Sequence, residues 1–184
     1  HREDFLSGSS FVNNLKLRAS YGKTGNSNID LNQYQVLFNY DADYAGTGAA
    51  YPATYGNEDL TWETSKMFQA GTEFSLGRWL DASVDYYRKR TDNLIFDRRV
   101  GPSQGIAIIT VNDGDLRNAG LEFNLTGHLV QTKDFNLDLS VNGEVLENEI
   151  TKMPLDPSTG EERILDVSNA PFAYSEGRSI FDIY

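Results

Sequence analysis

Five segments of this chain alternate apolar and polar residues with a period of two, a pattern that an extended strand with one greasy face satisfies and a helix does not. Leu15, Leu17, Ala19 and Tyr21 stand opposite Lys16, Arg18 and Ser20. Phe68, Ala70, Thr72, Phe74 and Leu76 oppose Gln69, Gly71, Glu73 and Ser75. Leu80, Ala82, Val84 and Tyr86 oppose Asp81, Ser83, Asp85 and Tyr87. Leu121, Phe123, Leu125 and Leu129 face away from Glu122, Asn124, Thr126 and His128, and Leu137, Leu139, Val141 and Val145 from Asp138, Ser140, Asn142 and Glu144. A sixth, less regular segment over residues 172–184 reads as an incomplete strand. No stretch carries a helical period, so the fold class is all-β.

The connections alternate in length. Gly77-Arg78 reads as a two-residue hairpin turn, and little more than Gln131-Thr132-Lys133-Asp134 joins the fourth and fifth strands. Residues 23–61, 92 to about 113, and 152 to about 170 read instead as long loops, of a length uncommon in compact domains unless functional. Short turns at one end and long loops at the other is the arrangement of an antiparallel, up-and-down transmembrane β-barrel, with short periplasmic turns and long extracellular loops.

A soluble sandwich also hides one apolar face, so alternation alone does not separate the two. Three features favour the barrel. Phe74, Trp79 and Phe135 bracket the apolar band near the short turns, and Tyr21, Trp62 and Tyr86 bracket it toward the loops, as aromatic girdles do at the two membrane interfaces. Basic Lys66, Arg88 and Arg117 lie beyond the band on the same face. The second and third strands also exceed the roughly 5–6 residues usual in globular proteins. No apolar run approaches the roughly 20 residues of a membrane-crossing helix.

With a formal net charge of −11 the chain is a poor partner for nucleic acid, and without cysteine it has no disulfide, thiolate metal site or cysteine nucleophile. His1-Arg2-Glu3-Asp4 is unlike a secretory signal, and the last residues, Ile180 to Tyr184, are largely apolar. The sequence therefore reads as a slice of a longer protein, with any export signal expected upstream.

Four stretches resemble the SusC/RagA group of TonB-dependent outer-membrane transporters. Leu15-Lys16-Leu17-Arg18-Ala19-Ser20-Tyr21-Gly22-Lys23-Thr24-Gly25-Asn26 is similar to the family's ascending strand and the start of an external loop. Gly56-Asn57-Glu58-Asp59-Leu60-Thr61-Trp62-Glu63-Thr64 resembles N-P-x-L-x-W-E-x-T, with Glu58 where proline is usual. Asp85 to Ile95 resembles D-Y-Y-x-K-x-T-x-D-L followed by an apolar residue, and Asn112 to Glu122 resembles N-x-G-x-x-x-N-x-G-x-E. They occur in order across most of the chain, which the resemblance places in the later part of the barrel.

The resemblance implies that residues 1–184 belong to a 22-stranded barrel domain whose plug and remaining strands are not in this sequence. It implies location in the outer membrane, coupling to the TonB system through absent regions, a SusD-like surface lipoprotein as partner, and an oligosaccharide, glycan fragment or peptide as cargo. No cofactor is expected, and no enzymatic activity. The alternatives are a soluble all-β carbohydrate-binding module and a passive porin-like barrel.

Site expectations follow from the two faces. Glu73, Asp81, Asp85, Glu122, Asn124 and Asp138, with Glu144, would line the lumen. Leu15, Leu17, Phe68, Phe74, Leu80, Val84, Leu121, Phe123, Leu137 and Leu139 would meet lipid. In the first long loop Tyr34, Tyr40, Tyr44, Tyr51 and Tyr55, with Phe38, offer stacking platforms for cargo or contact area for a partner, although residues 33–40 also alternate as a small self-packed hairpin would. Paired carboxylates on one flat strand face lack the cleft that glycoside hydrolysis requires. The acids Asp41 and Asp43, Asp113 and Asp115, and Asp156, Glu161 and Glu162 read as solvated loop residues rather than calcium ligands, and no metal site is expected. His128 reads as alone on the polar wall. Arg117 is expected to form a rim salt bridge with Glu147 or Glu149.

Overall fold

The computed structural model describes residues 11–27, 29, 31–99, 108–155, 159–161, 165–166 and 173–182, with backbone alone at 41–44, 99, 165–166 and 173. Its strands are β1 (Val12–Asn26), β2 (Leu37–Tyr44), β3 (Thr47–Thr54), β4 (Glu63–Leu76), β5 (Leu80–Arg99), β6 (Ile108–Gln131), β7 (Asn136–Lys152), β8 (Leu165–Asp166) and β9 (Ala173–Tyr174). One antiparallel sheet carries the order β1-β4-β5-β6-β7, and β2-β3 and β8-β9 form two separate ribbons. All five alternating segments are strands of the main sheet. Among the described residues no helix is long and apolar enough to cross a membrane, which says nothing of strands.

The chain divides into two compact units, residues 1–22, 66–89 and 118–147 in the first and 23–65, 90–117 and 148–184 in the second. In the first unit the only described side chains that reach burial are Ala82 and Asp85. The apolar face stays uncovered, with Leu17 76% and Leu139 56% exposed. Side chains on that face still interlock: the Phe123 ring lies where a side chain on Gly143 would go. No second sheet covers this face among the described residues, so the packing that a sandwich needs is missing from this unit.

The short turns are short; the first is one residue longer than the sequence suggests and the second is shifted by one residue. β4 and β5 are joined by Gly77-Arg78-Trp79, with Gly77 at φ 55° and the Trp79 amide donating to the Leu76 carbonyl at 3.4 Å. Only glycine adopts that φ without a Cβ penalty, which fixes the turn at Gly77. β6 and β7 are joined by four residues, Thr132–Phe135, closed by Thr132 N–H and Oγ1 donating to the Phe135 carbonyl at 2.9 and 2.8 Å. Phe11 stacks edge-on against Trp79, ring centroids 5.8 Å apart at 63°, adding an aromatic near this turn that the sequence pattern did not single out.

The second unit corrects several expectations. Among the described residues of 92–113 the chain is strand, not loop: β5 continues to Arg99 and β6 begins at Ile108. β5 runs on through Asn93, which sits at φ 60°. Side chains of β6 meet both its backbone groups, Asp115 Oδ1 accepting from the Asn93 amide at 3.2 Å and Asn112 Nδ2 donating to the Asn93 carbonyl at 2.9 Å. Asparagine tolerates the left-handed region better than other residues with a Cβ, so this kink is written locally.

Residues 23–61 likewise hold structure. The β2-β3 hairpin occupies them, with Phe38 opposite Pro52, Asn39 opposite Tyr51 and Tyr44 opposite Thr47 around Ala45 and Gly46, both at positive φ. The hairpin among the expected readings is present, its pairing starting at Leu37 rather than at residue 33, while Tyr34, Phe38, Tyr40, Tyr51 and Tyr55 stay exposed. The expected sixth strand over 172–184 is reduced, among the described residues, to β9 followed by turns. Those turns dock on β7: Ile150 and Gly177 amides donate to the Arg178 and Ile150 carbonyls at 2.8 and 2.9 Å, and Asn148 Oδ1 accepts from the Ile180 amide at 2.8 Å. An asparagine side-chain carbonyl thus takes the Ile180 amide that a neighbouring strand's backbone would otherwise have used. Val111, Ile150, Met153 and Pro154 are buried in this unit.

Candidate functional site

The polar face of the first unit is a connected set of side chains. Arg18 on β1 forks between two carboxylates, binding Glu73 on β4 through Nη1 and Asp85 on β5 through Nε, at 2.9 Å, and Nη2. The planar guanidinium suits such a double engagement. Lys16 reaches the other Glu73 oxygen at 3.3 Å. Asp85 is only 7% exposed, and a carboxylate withdrawn that far from water requires a partner of this kind. Gly71 makes room for the pair, since a Cβ there would fall on the Asp85 carboxyl group and within 3.1 Å of Arg18 Nε.

His128 on β6 is not alone. Its Nε2 lies 3.0 Å from Asp81 Oδ2 on β5 and its Nδ1 2.8 Å from Asp138 Oδ1 on β7, and Gln131 Nε2 donates to the same Asp138 oxygen at 2.6 Å. Three strands thus share one imidazole. Single-sequence reading missed it because the match depends on the register between strands; a histidine at a polar-face position flanked by acids on two strands is the signal that was available. Further along the face the Tyr87 hydroxyl donates to Glu144, over a Gly120 that leaves space for the ring, and Thr126 and Ser140 hydroxyls pair at 3.0 Å.

Of the anticipated polar-face residues, then, Glu73 and Asp85 are brought together by Arg18, and Asp81 and Asp138 by His128. Glu122 and Asn124 join Ser83, Asp85, Asn142 and Glu144 around a shallow concavity of about 410 Å³. The anticipated apolar residues are on the other face: Leu15, Leu17, Phe68, Leu121, Leu137 and Leu139 are exposed, and Phe74, Leu80, Val84 and Phe123 half-buried.

In the second unit Tyr34, Tyr40, Tyr51 and Tyr55 are all exposed, Tyr40 at 78%. Asn39 Nδ2 donates to the Tyr51 hydroxyl at 3.3 Å, and the Tyr44 side chain lies outside the described residues, as do those of Asp41 and Asp43. Asp113 and Asp115 are not loop acids. Asp113 sits between Lys152 at 2.9 Å and Arg98 at 3.8 Å, and Asp115 binds Arg90 at 3.0 Å. The hydrogen bond to Asp113 holds the Lys152 ammonium above its usual pKa, and bonds to Asp92 and Asp115 raise that of Arg90. Arg117 pairs with Glu149, as expected for the rim bridge. Asp156 and Glu162 lie outside the described residues, and Glu161 bonds through its amide to Thr159 Oγ1 at 3.3 Å. Among the described residues no three acids or histidines converge as a metal site would require.

Parts of all four motif stretches meet in this unit, through Asn26, residues 57–63, Asn93 and Ile95, and Asn112. Glu58 stands at the position of the family's proline, yet a turn forms, because the Asp59 and Leu60 amides donate to Asn57 Oδ1 and to the Asn57 carbonyl, each at 3.1 Å. The Thr61 amide donates to Asn112 Oδ1, and Asn112 Nδ2 donates to the Thr61 carbonyl, each at 2.7 Å. Glu63 accepts from the Asn26 side chain and the Ile95 amide, both at 3.1 Å. The motif residues are therefore the fasteners that hold strand ends and connections together.

Comparison with known proteins agrees with this pattern. The family described as "TonB dependent receptor-like, beta-barrel" matches residues 6–170. The TonB-dependent receptor SusC of Bacteroides thetaiotaomicron is 35% identical over 160 residues, covering 82% of this chain and 16% of SusC. TonB-dependent receptor P3 of Formosa agariphila is 32% identical over 159 residues, covering 83% of this chain and 16% of that protein. The RagAB peptide importer in its closed-closed state superimposes with a TM-score of 0.78 at 28% identity, over 96% of this chain and 19% of that one. The chain thus spans about a sixth of the length of these curated relatives. Sheet, motifs and relatives agree that the chain belongs to the β-barrel of the TonB-dependent receptor family, in the SusC/RagA group of outer-membrane proteins.

Proposed function

We propose that this chain forms part of the wall and outer loops of an energised outer-membrane importer, all 184 residues lying in the barrel domain. The plug and the remaining strands are contributed by other parts of the same protein, through which TonB acts. The observation that carries the reading is the two-sidedness of the first unit. One face presents uncovered leucines and phenylalanines, suited to hydrocarbon, and the other presents charges already paired across strands, suited to a hydrated lumen. Glu73, Asp81, Asp85, Glu122, Asn124 and Asp138 line that lumen in this reading. Their role is to keep the inner wall wet and rigid, and no catalysis is assigned to them.

The cargo is an oligosaccharide, glycan fragment or peptide, taken up with a SusD-like surface lipoprotein. SusC among the relatives and the RagAB peptide importer among the solved structures support this class. The exposed tyrosines of the β2-β3 region supply flat, amphipathic area for that lid or for cargo.

The full-length gene should be deleted in its host and restored on a plasmid, and uptake of labelled oligosaccharides and peptides followed with and without a protonophore. Restored uptake that the protonophore abolishes is the expected result. Uptake indifferent to the protonophore would identify a passive barrel instead, and a full-length protein that stays monomeric without detergent would identify a soluble binding module.

A further inference from the structure

Residues 33–57 close on themselves. The Asn57 amide donates to the Gln33 carbonyl at 3.1 Å, and Gly56 lies so close to the backbone of Tyr34 and Gln35 that no side chain would fit between them. Inside that neck lies the β2-β3 ladder. Among the described residues, the bonds that tie the next segment, 57–61, to β6 are of a different kind, since each runs from a side chain of one partner to the backbone of the other. Asn57 Nδ2 donates to the Thr110 carbonyl at 3.0 Å, and the Asn112 amide group engages both backbone groups of Thr61 at 2.7 Å. The same Asn112 nitrogen also donates to the carbonyl of Asn93, the left-handed kink of β5.

We infer that Asn112 is the larger part of a clasp: with the single Asn57–Thr110 bond it fastens the self-closed arm 33–57 to β5 and β6, and the clasp can open without breaking any strand ladder. Physically, Asn112 copies with one side chain the paired donor and acceptor of a sheet edge, so a single rotamer change undoes both bonds to Thr61 and the bond to the Asn93 carbonyl at once. The arm keeps its own neck and ladder when that happens. Release therefore repositions the exposed Tyr40, Tyr51 and Phe38 together, as one piece. The inference concerns how the arm is held and is independent of which cargo or partner it meets.

Amide hydrogen exchange on the full-length protein in detergent tests it. In the unaltered protein, residues 58–62 should exchange faster than residues 37–54. Asn112→Ala should speed exchange of the Thr61 amide roughly tenfold, as loss of a bond of ordinary strength predicts, and leave residues 37–54 unchanged. Asn112→Asp keeps the acceptor for the Thr61 amide and should protect it largely as before. Barrel assembly of each variant is read independently from its heat-modifiable migration in detergent gels. Equal exchange of the two segments in the unaltered protein would overturn the inference, and so would joint loosening of 37–54 with 58–62 in Asn112→Ala.

Discussion

The two units solve the same problem, ordering long strands, in opposite ways. The first buries almost nothing apolar, leaves Leu17, Leu121 and Leu139 uncovered, and spends its hydrogen bonds across the polar face through Arg18, Tyr87 and His128. The second buries Val111, Ile150, Met153 and Pro154 and fastens strand ends with asparagine and carboxylate side chains. The difference shows where the apolar solvent is. A unit that packs against itself carries its own core, as a water-facing structure must. A unit that leaves its apolar face bare relies on something outside the chain to cover it, and lipid does this for a barrel wall.

Charge placed on the bare face should break this contrast most visibly. Leu121→Arg, in the first unit, is expected to cost about 2–4 kcal/mol if the site lies near the bilayer centre, and to reduce outer-membrane yield of the full-length protein sharply. Tyr40→Arg, at a still more exposed position in the second unit, should change stability by no more than about 0.5 kcal/mol. Comparable yields for both variants would mean that the two surfaces meet the same medium.

The polar face offers a smaller effect. Gly71→Val forces a side chain into the Arg18–Asp85 pair, and overpacking of this sort costs about 1–3 kcal/mol. The temperature at which the barrel loses its compact gel migration should fall accordingly, and an unchanged temperature would show that the pair does not hold the strands. In the second unit Asn93→Val places a β-branched residue at φ 60° and should cost about 1–3 kcal/mol, whereas Asn93→Gly should stay within a few tenths. The same melting series reads both.

These elements also mark how far the sequence could be read. All five wall strands and both faces were legible, because a strand between an apolar and an aqueous medium must alternate, and alternation survives in any single sequence. The extension of β5 and β6 through residues 94–99 and 108–112 was not legible, since Leu94-Ile95-Phe96 and Ile108-Ile109 are consecutive apolar residues without that period. The clamp on His128 and the clasp on Thr61 depend on inter-strand register, which residue spacing within one strand cannot report. Residues 175–182 misled for a related reason: they form turns bonded to the Ile150 backbone of β7, and Asn148 accepts the bonds from Ser179 and Ile180.

The smallest effect concerns pH. The Lys152 pKa is raised by Asp113 from 10.5, so the pair's contribution is complete below that value and fades as pH climbs through the raised one. For a half-exposed lysine it amounts to no more than about 1 kcal/mol. Lys152→Met should therefore lower the melting temperature slightly at pH 8 and flatten its decline at high pH, and an identical alkaline slope in both proteins would remove the pair from the balance.

The assignment of one face to lipid and the other to the lumen is open to a direct measurement. This stretch contributes no cysteine, and single cysteines at Leu121 and Glu122, in a full-length protein cleared of any others, can be labelled with a nitroxide and reconstituted in bilayers. Spin relaxation by oxygen, which concentrates in hydrocarbon, should dominate at 121, and relaxation by a water-soluble nickel complex at 122. Equal accessibility at the two neighbours, or the reverse order, would contradict the placement of this sheet as a membrane wall.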